Sequence, residues 1–192
     1  MGHRNKPALL VIDMQTGFDA SAWGQRNNPD AEANVAKLIA AWRGVGAPVI
    51  HVHHDSQHPA GHFRRGMPGH AVKPEAQALD GEPVYRKSVN NAFIGTRLEA
   101  DLRSVGIDRL VIVGLTTNHC VSTTARMAGN LSFETFVVAD ATATFDRANL
   151  DGTIRPAAEV HLSALSDLQD EFARVVDTAW VIAALHRGED HG

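Results

Sequence analysis

The sequence predicts an α/β protein: a three-layer α/β/α sandwich with a six-stranded, mostly parallel, Rossmann-like sheet. Short apolar runs alternate with segments of helical periodicity along the 192 residues. The runs are apolar at consecutive positions, as in parallel strands that helices cover on both faces. Such alternation of strands and helices gives a parallel sheet between two helical layers. No internal repeat, low-complexity segment or linker divides the chain, so a single domain is expected over 1–192.

The first strand is expected at Ala8–Ile12, which is apolar at every position and ends at Asp13. The helix that follows, Asp30–Trp42, has its apolar residues at helical spacing and is terminated by the glycine at Gly44. Pro48–His53 has the composition of a second strand.

A long irregular stretch, Asp55–Glu82, is rich in Gly, Pro and His. It is longer than a compact domain usually carries without a purpose, so it is expected either to cover a substrate or to pack against a partner subunit. The third strand, Val84–Arg86, is short and runs into Lys87, and the helix Thr96–Val105 stops at Gly106.

The remaining elements continue the alternation. In order they are the strand Arg109–Val113, the helix Ser122–Ala128, the strand Thr135–Ala139, the helix Pro156–Leu168, the strand Ala173–Val176 and the helix Thr178–His186. The last helix is apolar around much of its circumference and so needs cover on more than one face, from within the chain or from a second copy.

Composition excludes several functions. The net charge is −4 and no basic run is present, so no nucleic-acid partner is expected. No apolar stretch approaches the length of a membrane span, and Met1–Lys6 lacks the apolar core of a signal peptide, so no membrane partner is expected. The single cysteine excludes an internal disulfide and suits a cytoplasmic location.

Polar residues follow three of the predicted strands: Asp13, Lys87 and, a little further on, Cys120. Ligands of open parallel sheets bind at the carboxyl ends of the strands, where these residues are expected to meet. Each also has an ordinary interpretation: Asp13 as a turn residue, Lys87 as a solvated lysine and Cys120 as a small buried hydrophobe.

Together the three residues make a coherent acyl-transfer site. A helix N-terminus and a nearby ammonium both lower the pKa of a thiol, which predicts a reactive thiolate at Cys120. The carboxylate of Asp13 can accept the thiol proton, with Lys87 as the cation beside it. Backbone N–H groups of the same turn can bind an oxyanion.

The segments "LLVIDMQTGF", "KSVNNAFIGTRLEADL" and "IDRLVIVGLTTNHCVSTTARMA" resemble the isochorismatase-like cysteine hydrolases, which include nicotinamidases, N-carbamoylsarcosine amidases and isochorismatases. The resemblance implies that Asp13 is the general base, Lys87 the cation and Cys120 the nucleophile. It also implies a cis peptide before Thr116, an oxyanion hole formed by the N–H groups of Thr116 and Cys120, and a homo-oligomer.

The metal site of nicotinamidases does not carry over. Those enzymes have Asp-x-His after the second strand. In the matching stretch "HVHHDS", His54 stands in place of the aspartate and Ser56 in place of the histidine, so no metal and no cofactor is expected. Histidines of the same region still offer imidazole ligands: His51, His53, His54, His58 and His62. Strand alternation sends His51 and His53 to one face and His54 to the other.

The expected function is hydrolysis of a small-molecule amide, ureide or carbamoyl C–N bond through a thioester, because Cys120 favours attack on a carbonyl. Two alternatives stay open: vinyl-ether hydrolysis of the isochorismatase type, and a non-catalytic binding protein of the same fold.

The substrate pocket is expected to include Trp23, Asn91, Phe93 and Asn118. Core packing for Phe93 and a subunit contact for Trp23 are the alternatives, and Asn118 either orients Asp13 or satisfies turn backbone. Two histidines are expected outside the chemistry. His119 should point away from Cys120, and His161 should lie on the surface or at a subunit contact.

Overall fold

The computed structural model describes residues 6–187. Residues 1–5 and 188–192 lie outside the described chain. They include most of the Met1–Lys6 segment on which the signal-peptide expectation depends, and both ends of the expected single domain.

The strands in chain order are β1 (Ala8–Ile12), β2 (Val49–His54), β3 (Val84–Lys87), β4 (Arg109–Leu115), β5 (Glu134–Ala143), β6 (Arg147–Ala148), β7 (Ile154–Arg155) and β8 (Arg174–Val176). The α-helices are α1 (Ala31–Gly44), α2 (Leu98–Ser104), α3 (Ser122–Asn130), α4 (Ala157–Ser166) and α5 (Thr178–Arg187). Except at β5, most bounds differ from the expected ones only by a residue or two at the ends.

The main sheet has six strands in the order β3-β2-β1-β4-β5-β8. Each neighbouring pair is parallel. This confirms the predicted α/β sandwich. The chain winds outward in one direction from β1 to β3 and in the other from β4 to β8, so the strand order reverses between β1 and β4. In open α/β sheets a ligand crevice forms at this reversal, outside the carboxyl ends of the two strands.

Each face of the sheet has its own core because alternate residues of a strand point to opposite sides. Leu9 and Val11 of β1 belong to the cluster that includes residues of α1 and α5, such as Trp42. Leu10 and Ile12 belong to the cluster on the other face, with residues of α2, α3 and α4. All five residues of β1 are buried, which explains why that strand reads as one apolar run.

The strand β5 extends beyond its expected end at Ala139 to Ala143. Its last residues pair with the end of β4 after a shift of register between Ile112 and Gly114. The polar Asp140 lies in this extension, and its carboxylate accepts hydrogen bonds from the backbone N–H and hydroxyl of Thr178 at the start of α5. Because Asp140 interrupts the apolar run, the sequence pattern did not predict this extension. The short antiparallel hairpin of β6 and β7 was likewise not predicted.

The helix α5 is covered on part of its surface by its own chain. Val181 and Leu185 are buried in the core cluster of α1. Trp180 stacks on Phe136 of β5 with ring centroids 5.6 Å apart, and the guanidinium of Arg174 lies 4.6 Å from its ring centre. The homo-oligomer stays a prediction.

The long segment 55–82 packs on its own chain. Gln15 and Val72 form an antiparallel bridge, the N–H of Thr16 donates to the carbonyl of Ala71 (2.8 Å), and the N–H of Lys73 donates to the carbonyl of Met14 (2.8 Å). This segment is therefore held against residues 14–16, directly beyond the end of β1.

Among residues 6–187, no helix combines the length and the apolar character needed to cross a bilayer.

Gly114→Ala should destabilise the fold by more than about 2 kcal/mol. Gly114 has φ +113°, and a Cβ there would lie 2.0 Å from the carbonyl oxygen of Ile12 in the neighbouring strand. The control is Gly44→Ala at the end of α1, where an added Cβ meets no heavy atom within 4 Å beyond the neighbouring residues and backbone of its own helix. This control should be neutral or slightly stabilising, since alanine favours a helix. Urea unfolding measures both, and equal effects would contradict this account of Gly114.

Candidate active site

Asp13, Lys87 and Cys120 meet at the carboxyl edge of the sheet. The Nζ of Lys87 donates to Oδ2 of Asp13 at 2.6 Å and to Sγ of Cys120 at 3.3 Å. The exposed fractions of these residues are 1% for Asp13, 1% for Lys87 and 8% for Cys120. The lysine ends β3 and reaches past β2 to the end of β1, which a side chain of four methylenes allows.

Asp13 takes a left-handed backbone conformation, φ 49°, where the chain leaves β1. Aspartate tolerates this conformation better than most residues. Its N–H still donates to the carbonyl of Val52 at 2.8 Å, so the residue stays attached to the sheet. Oδ1 of Asp13 is buried and has no hydrogen-bond partner among the described residues. This oxygen is free to accept a proton.

His54, the last residue of β2, is a fourth member of the cluster. Its Nδ1 lies 3.2 Å from Nζ of Lys87. Burial and the charge of Lys87 lower the pKa of His54, so its ring is neutral.

The cluster does not fit a metal ion, although its ligand atoms suggest one. One ligand atom from each of Asp13, His54 and Cys120 lies within 4.8 Å of the others. The ammonium of Lys87 already contacts all three residues. Two cations at this distance would repel each other strongly in a buried site. The positive charge of this cluster is therefore supplied by Lys87.

The pKa of the Cys120 thiol is raised, and the expectation of a lowered pKa was wrong in direction. Burial is the largest cause, and the carboxylate of Asp13 adds to it. Lys87 acts in the expected sense and lowers the pKa, but it does not overcome the other two. In the site without substrate, Cys120 is a neutral thiol beside a carboxylate that can take its proton.

The turn that carries the thiol has an unusual backbone. The peptide bond between Leu115 and Thr116 is cis. Thr117–Val121 then forms one turn of π-helix that leads into α3, and the N–H groups of His119 and Val121 both donate to the carbonyl of Thr116 (3.1 and 3.2 Å). Cys120 therefore lies in the first turn of a helix, where backbone N–H groups lack intrahelical acceptors.

A small cavity of about 120 Å³ opens onto the thiol. It is lined by Asp13, Phe18, Trp23, His54, Phe63, Asn90, Thr116, His119 and Cys120. Phe18, Trp23 and Phe63 form an aromatic wall, with ring centroids 4.6 to 6.2 Å apart. Trp23 comes from the loop after β1, and Phe63 comes from the long segment 55–82.

Asn91 and Phe93 do not line this cavity, which corrects the sequence-based expectation. Oδ1 of Asn91 accepts the N–H of Phe93 at 2.9 Å, and the ring of Phe93 stacks on Phe133 with centroids 5.8 Å apart. The ring of Phe93 therefore packs this segment on the core, and the side chain of Asn91 closes a turn within it. The residue that reaches the cavity is Asn90, and nothing in the sequence distinguishes its orientation from that of Asn91.

Asn118 supports the nucleophile turn and does not contact Asp13. Its Oδ1 accepts the hydroxyl of Thr144 at 2.5 Å, and its Nδ2 lies 3.4 Å from Nε2 of His119. These contacts link the turn to the residue that follows β5, and they match neither of the two roles expected for Asn118. Asn118 is not among the residues that line the cavity.

Two histidines have roles that the sequence did not reveal. His119 lines the cavity with Cys120, and its Nδ1 lies 3.2 Å from Oγ1 of Thr116. His161 of α4 packs behind the nucleophile turn, with Nδ1 2.8 Å from Oγ1 of Thr117 and Nε2 3.4 Å from Nδ2 of Asn28. It is therefore a support of the turn, where a surface or subunit contact was expected.

The other histidines of β2, His51 and His53, are buried and do not line the cavity beside the thiol. His51 is fully buried, and its Nε2 lies 3.0 Å from Oε2 of Glu82, which also binds Arg43. His53 is 7% exposed, and burial together with the charge of Arg86 lowers its pKa to about 4.

The pH dependence of Cys120 alkylation by iodoacetamide should have its midpoint above about 8.5, the value of an ordinary thiol. Asp13→Asn should lower the midpoint, because it removes a carboxylate that raises the thiol pKa. Lys87→Met should raise it for the opposite reason. A midpoint well below 8.5 in the unmodified protein would contradict this assignment.

Breaking a buried ion pair costs about 3–5 kcal/mol, so each single variant is checked for folding by circular dichroism. The double variant Asp13→Asn/Lys87→Met leaves the site without charge and serves as the control.

Stability should fall as the pH falls from about 6.5 to about 4. In this window the unfolded chain binds more protons than the folded chain, in which the pKa of His53 is lowered to about 4. Protonation of His53 alone contributes roughly 3 kcal/mol at most. His53→Gln should therefore flatten the dependence of unfolding free energy on pH. The control is His62→Gln, at an exposed histidine, which should leave the slope of unfolding free energy against pH unchanged. An unchanged slope in His53→Gln, with a flatter slope in His62→Gln, would contradict the assignment.

Residues 7–179 match the family described as the isochorismatase domain. The solved structure of a hydrolase of the isochorismatase family from Chromobacterium violaceum ATCC 12472 is 47% identical with a TM-score of 0.93, covering 95% of this chain and 94% of that one. The isochorismatase family protein YrdC of Bacillus subtilis is 44% identical over 92% of this chain and 95% of its own length. Nicotinamidase 3 of Arabidopsis thaliana is 31% identical over 88% of this chain and 84% of its own length. With its fold and its strand-end site, the chain thus belongs to the isochorismatase-like hydrolase superfamily.

Proposed function

We propose that this hydrolase cleaves the C–N bond of a small amide, ureide or carbamoyl compound through a thioester on Cys120. The observation that carries the proposal is the buried contact of one ammonium, that of Lys87, with both the carboxylate of Asp13 and the sulfur of Cys120. A nucleophile, a base and a cation at one point beside a cavity are the components of acyl transfer.

The first half of the reaction forms the thioester. Oδ1 of Asp13 takes the proton of the Cys120 thiol as Sγ attacks the substrate carbonyl carbon. The resulting oxyanion is bound by the backbone N–H groups of Thr116 and Cys120. Asp13 then returns the proton to the substrate nitrogen, the C–N bond breaks, and the amine or ammonia leaves.

The second half hydrolyses the thioester. A water molecule loses a proton to Asp13 and attacks the carbonyl carbon, and the same N–H groups bind the oxyanion. The C–S bond then breaks, the sulfur recovers its proton from Asp13, and the carboxylic acid leaves. Lys87 offsets the charge of Asp13 in the resting site and of the sulfur during each transfer.

The raised pKa of the thiol fits this sequence of steps. A neutral thiol needs a base in contact with the site, and Oδ1 of Asp13 is a buried acceptor with no described partner. The proton therefore moves when the sulfur attacks, not before the substrate arrives.

The size and lining of the cavity support a compact substrate. The aromatic wall of Phe18, Trp23 and Phe63 offers apolar surface, and the thiol of Cys120 and the carboxylate of Asp13 line the same cavity. The name of the related nicotinamidase indicates that one member of the superfamily acts on an amide.

Cys120→Ala should lower kcat/KM for the best amide substrate by at least about 10³-fold, because it removes the atom that forms the intermediate. The assay is ammonia release from a panel of primary amides, ureides and carbamoyl compounds, with intact-mass detection of an acyl group on the protein. Thr123→Ala, in helix α3 directly after the nucleophile turn and outside the cavity lining, is the control and should retain activity.

The same variants separate the alternatives. Vinyl-ether hydrolysis that survives in Cys120→Ala would favour isochorismatase-type chemistry. Ligand binding without turnover of any of these classes would favour a binding protein.

A further inference from the structure

His54 is held rigidly at the mouth of the catalytic cluster. Its backbone N–H donates to Oε1 of Gln15 at 2.8 Å, and its carbonyl accepts from Nε2 of the same side chain at 3.1 Å. Gln15 is fully buried. The ring of His54 lines the cavity and lies edge-on to Phe63, with centroids 6.0 Å apart. The backbone and the ring direction are thus both fixed before a substrate binds.

The contact with Lys87 determines which ring nitrogen carries the proton. An ammonium has three donors and no acceptor, so Nδ1 of His54 must accept at 3.2 Å. In a neutral imidazole the other nitrogen is then the donor. Within residues 6–187, no hydrogen bond to Nε2 of His54 is present, so this N–H is available to a molecule in the cavity.

We infer that His54 determines specificity by donating a hydrogen bond from Nε2 to an uncharged acceptor on the acyl part of the substrate. The preferred substrates are then amides that carry a second acceptor, such as a ketone oxygen, beyond the carbonyl that is attacked. This inference rests on the proposed function, because it names the substrate class of the same site.

The lining of the cavity favours a neutral acceptor over a carboxylate. Its described residues include no lysine or arginine that could pair with an anion, and Lys87 already binds Asp13. The aromatic wall offers no strong acceptor for Nε2, so without a substrate acceptor this donor is left to water. A donor that the bound substrate buries without an acceptor is penalised, which makes the discrimination specific.

Two substitutions of His54 test the roles of its two ring nitrogens separately. In His54→Asn, the amide oxygen takes roughly the place of Nδ1 and keeps an acceptor for Lys87, but the donor is lost. In His54→Gln, the amide nitrogen takes roughly the place of Nε2 and keeps the donor. The probes are two pairs of amides with matched shape, pyruvamide with isobutyramide and acetoacetamide with 3-methylbutanamide, in which only the first member has a ketone oxygen.

The unmodified protein should favour at least one oxo amide over its partner by roughly tenfold in kcat/KM, the effect of one hydrogen bond. His54→Gln should keep most of this preference and His54→Asn should lose it, as measured by the ratio of kcat/KM within each pair. The inference is overturned if the unmodified protein has no preference, or if His54→Asn retains it.

A readout without turnover separates this inference from the proposed function. In Cys120→Ala labelled with ¹⁵N, the His54 ring should be the Nε2–H tautomer, and its resonances should shift with an oxo amide but not with its partner. If no amide is hydrolysed but this selective shift occurs, the proposed function fails and the role of His54 stands. An Nδ1–H tautomer, or the same response to both members of each pair, overturns the role of His54 whatever the activity.

Discussion

The buried ion pair of Lys87 and Asp13 is the interaction on which the rest of the site depends. Removing each ion from water costs several kcal/mol, so the pair persists only with close geometry and further hydrogen bonds. The structure supplies both: a 2.6 Å contact between the charges, with His54 and Cys120 as additional partners of the ammonium. The strand order brings the carboxyl ends of β3, β2, β1 and β4 to one edge of the sheet, where these four residues meet.

The pair also explains why the thiol is not a resting thiolate. Its two charges act in opposite senses on the pKa of the thiol, and burial, the largest cause, raises that pKa. The helix N-terminus and the lysine are visible in the sequence, whereas the burial of the thiol exists only after folding. The chemistry survives this correction, because a neutral thiol in contact with a buried carboxylate can lose its proton during attack.

The fold and the three principal residues could be predicted because their signals are local. An apolar run followed by a polar residue identifies a strand end, and parallel topology brings such ends together. The sequence did not predict the direction of side chains in irregular segments. Asn90 faces the cavity and Asn91 does not, although both follow Lys87 in such a segment. Likewise His161 reaches the nucleophile turn from α4, across a contact with no local signature in the sequence.

The balance of charge in the cavity indicates how it selects a substrate. Asp13 and Lys87 cancel each other, and burial lowers the pKa of both His54 and His119, so the two rings are neutral. A charged substrate would enter a site whose ions are already paired and would lose its hydration without gaining a partner. Selection must therefore depend on shape against the aromatic wall and on the direction of hydrogen bonds. At position 54 a carboxylate could only accept a hydrogen bond from the substrate. The imidazole of His54, whose Nδ1 accepts from Lys87, instead donates one, so this residue offers the substrate a donor where a carboxylate would offer an acceptor.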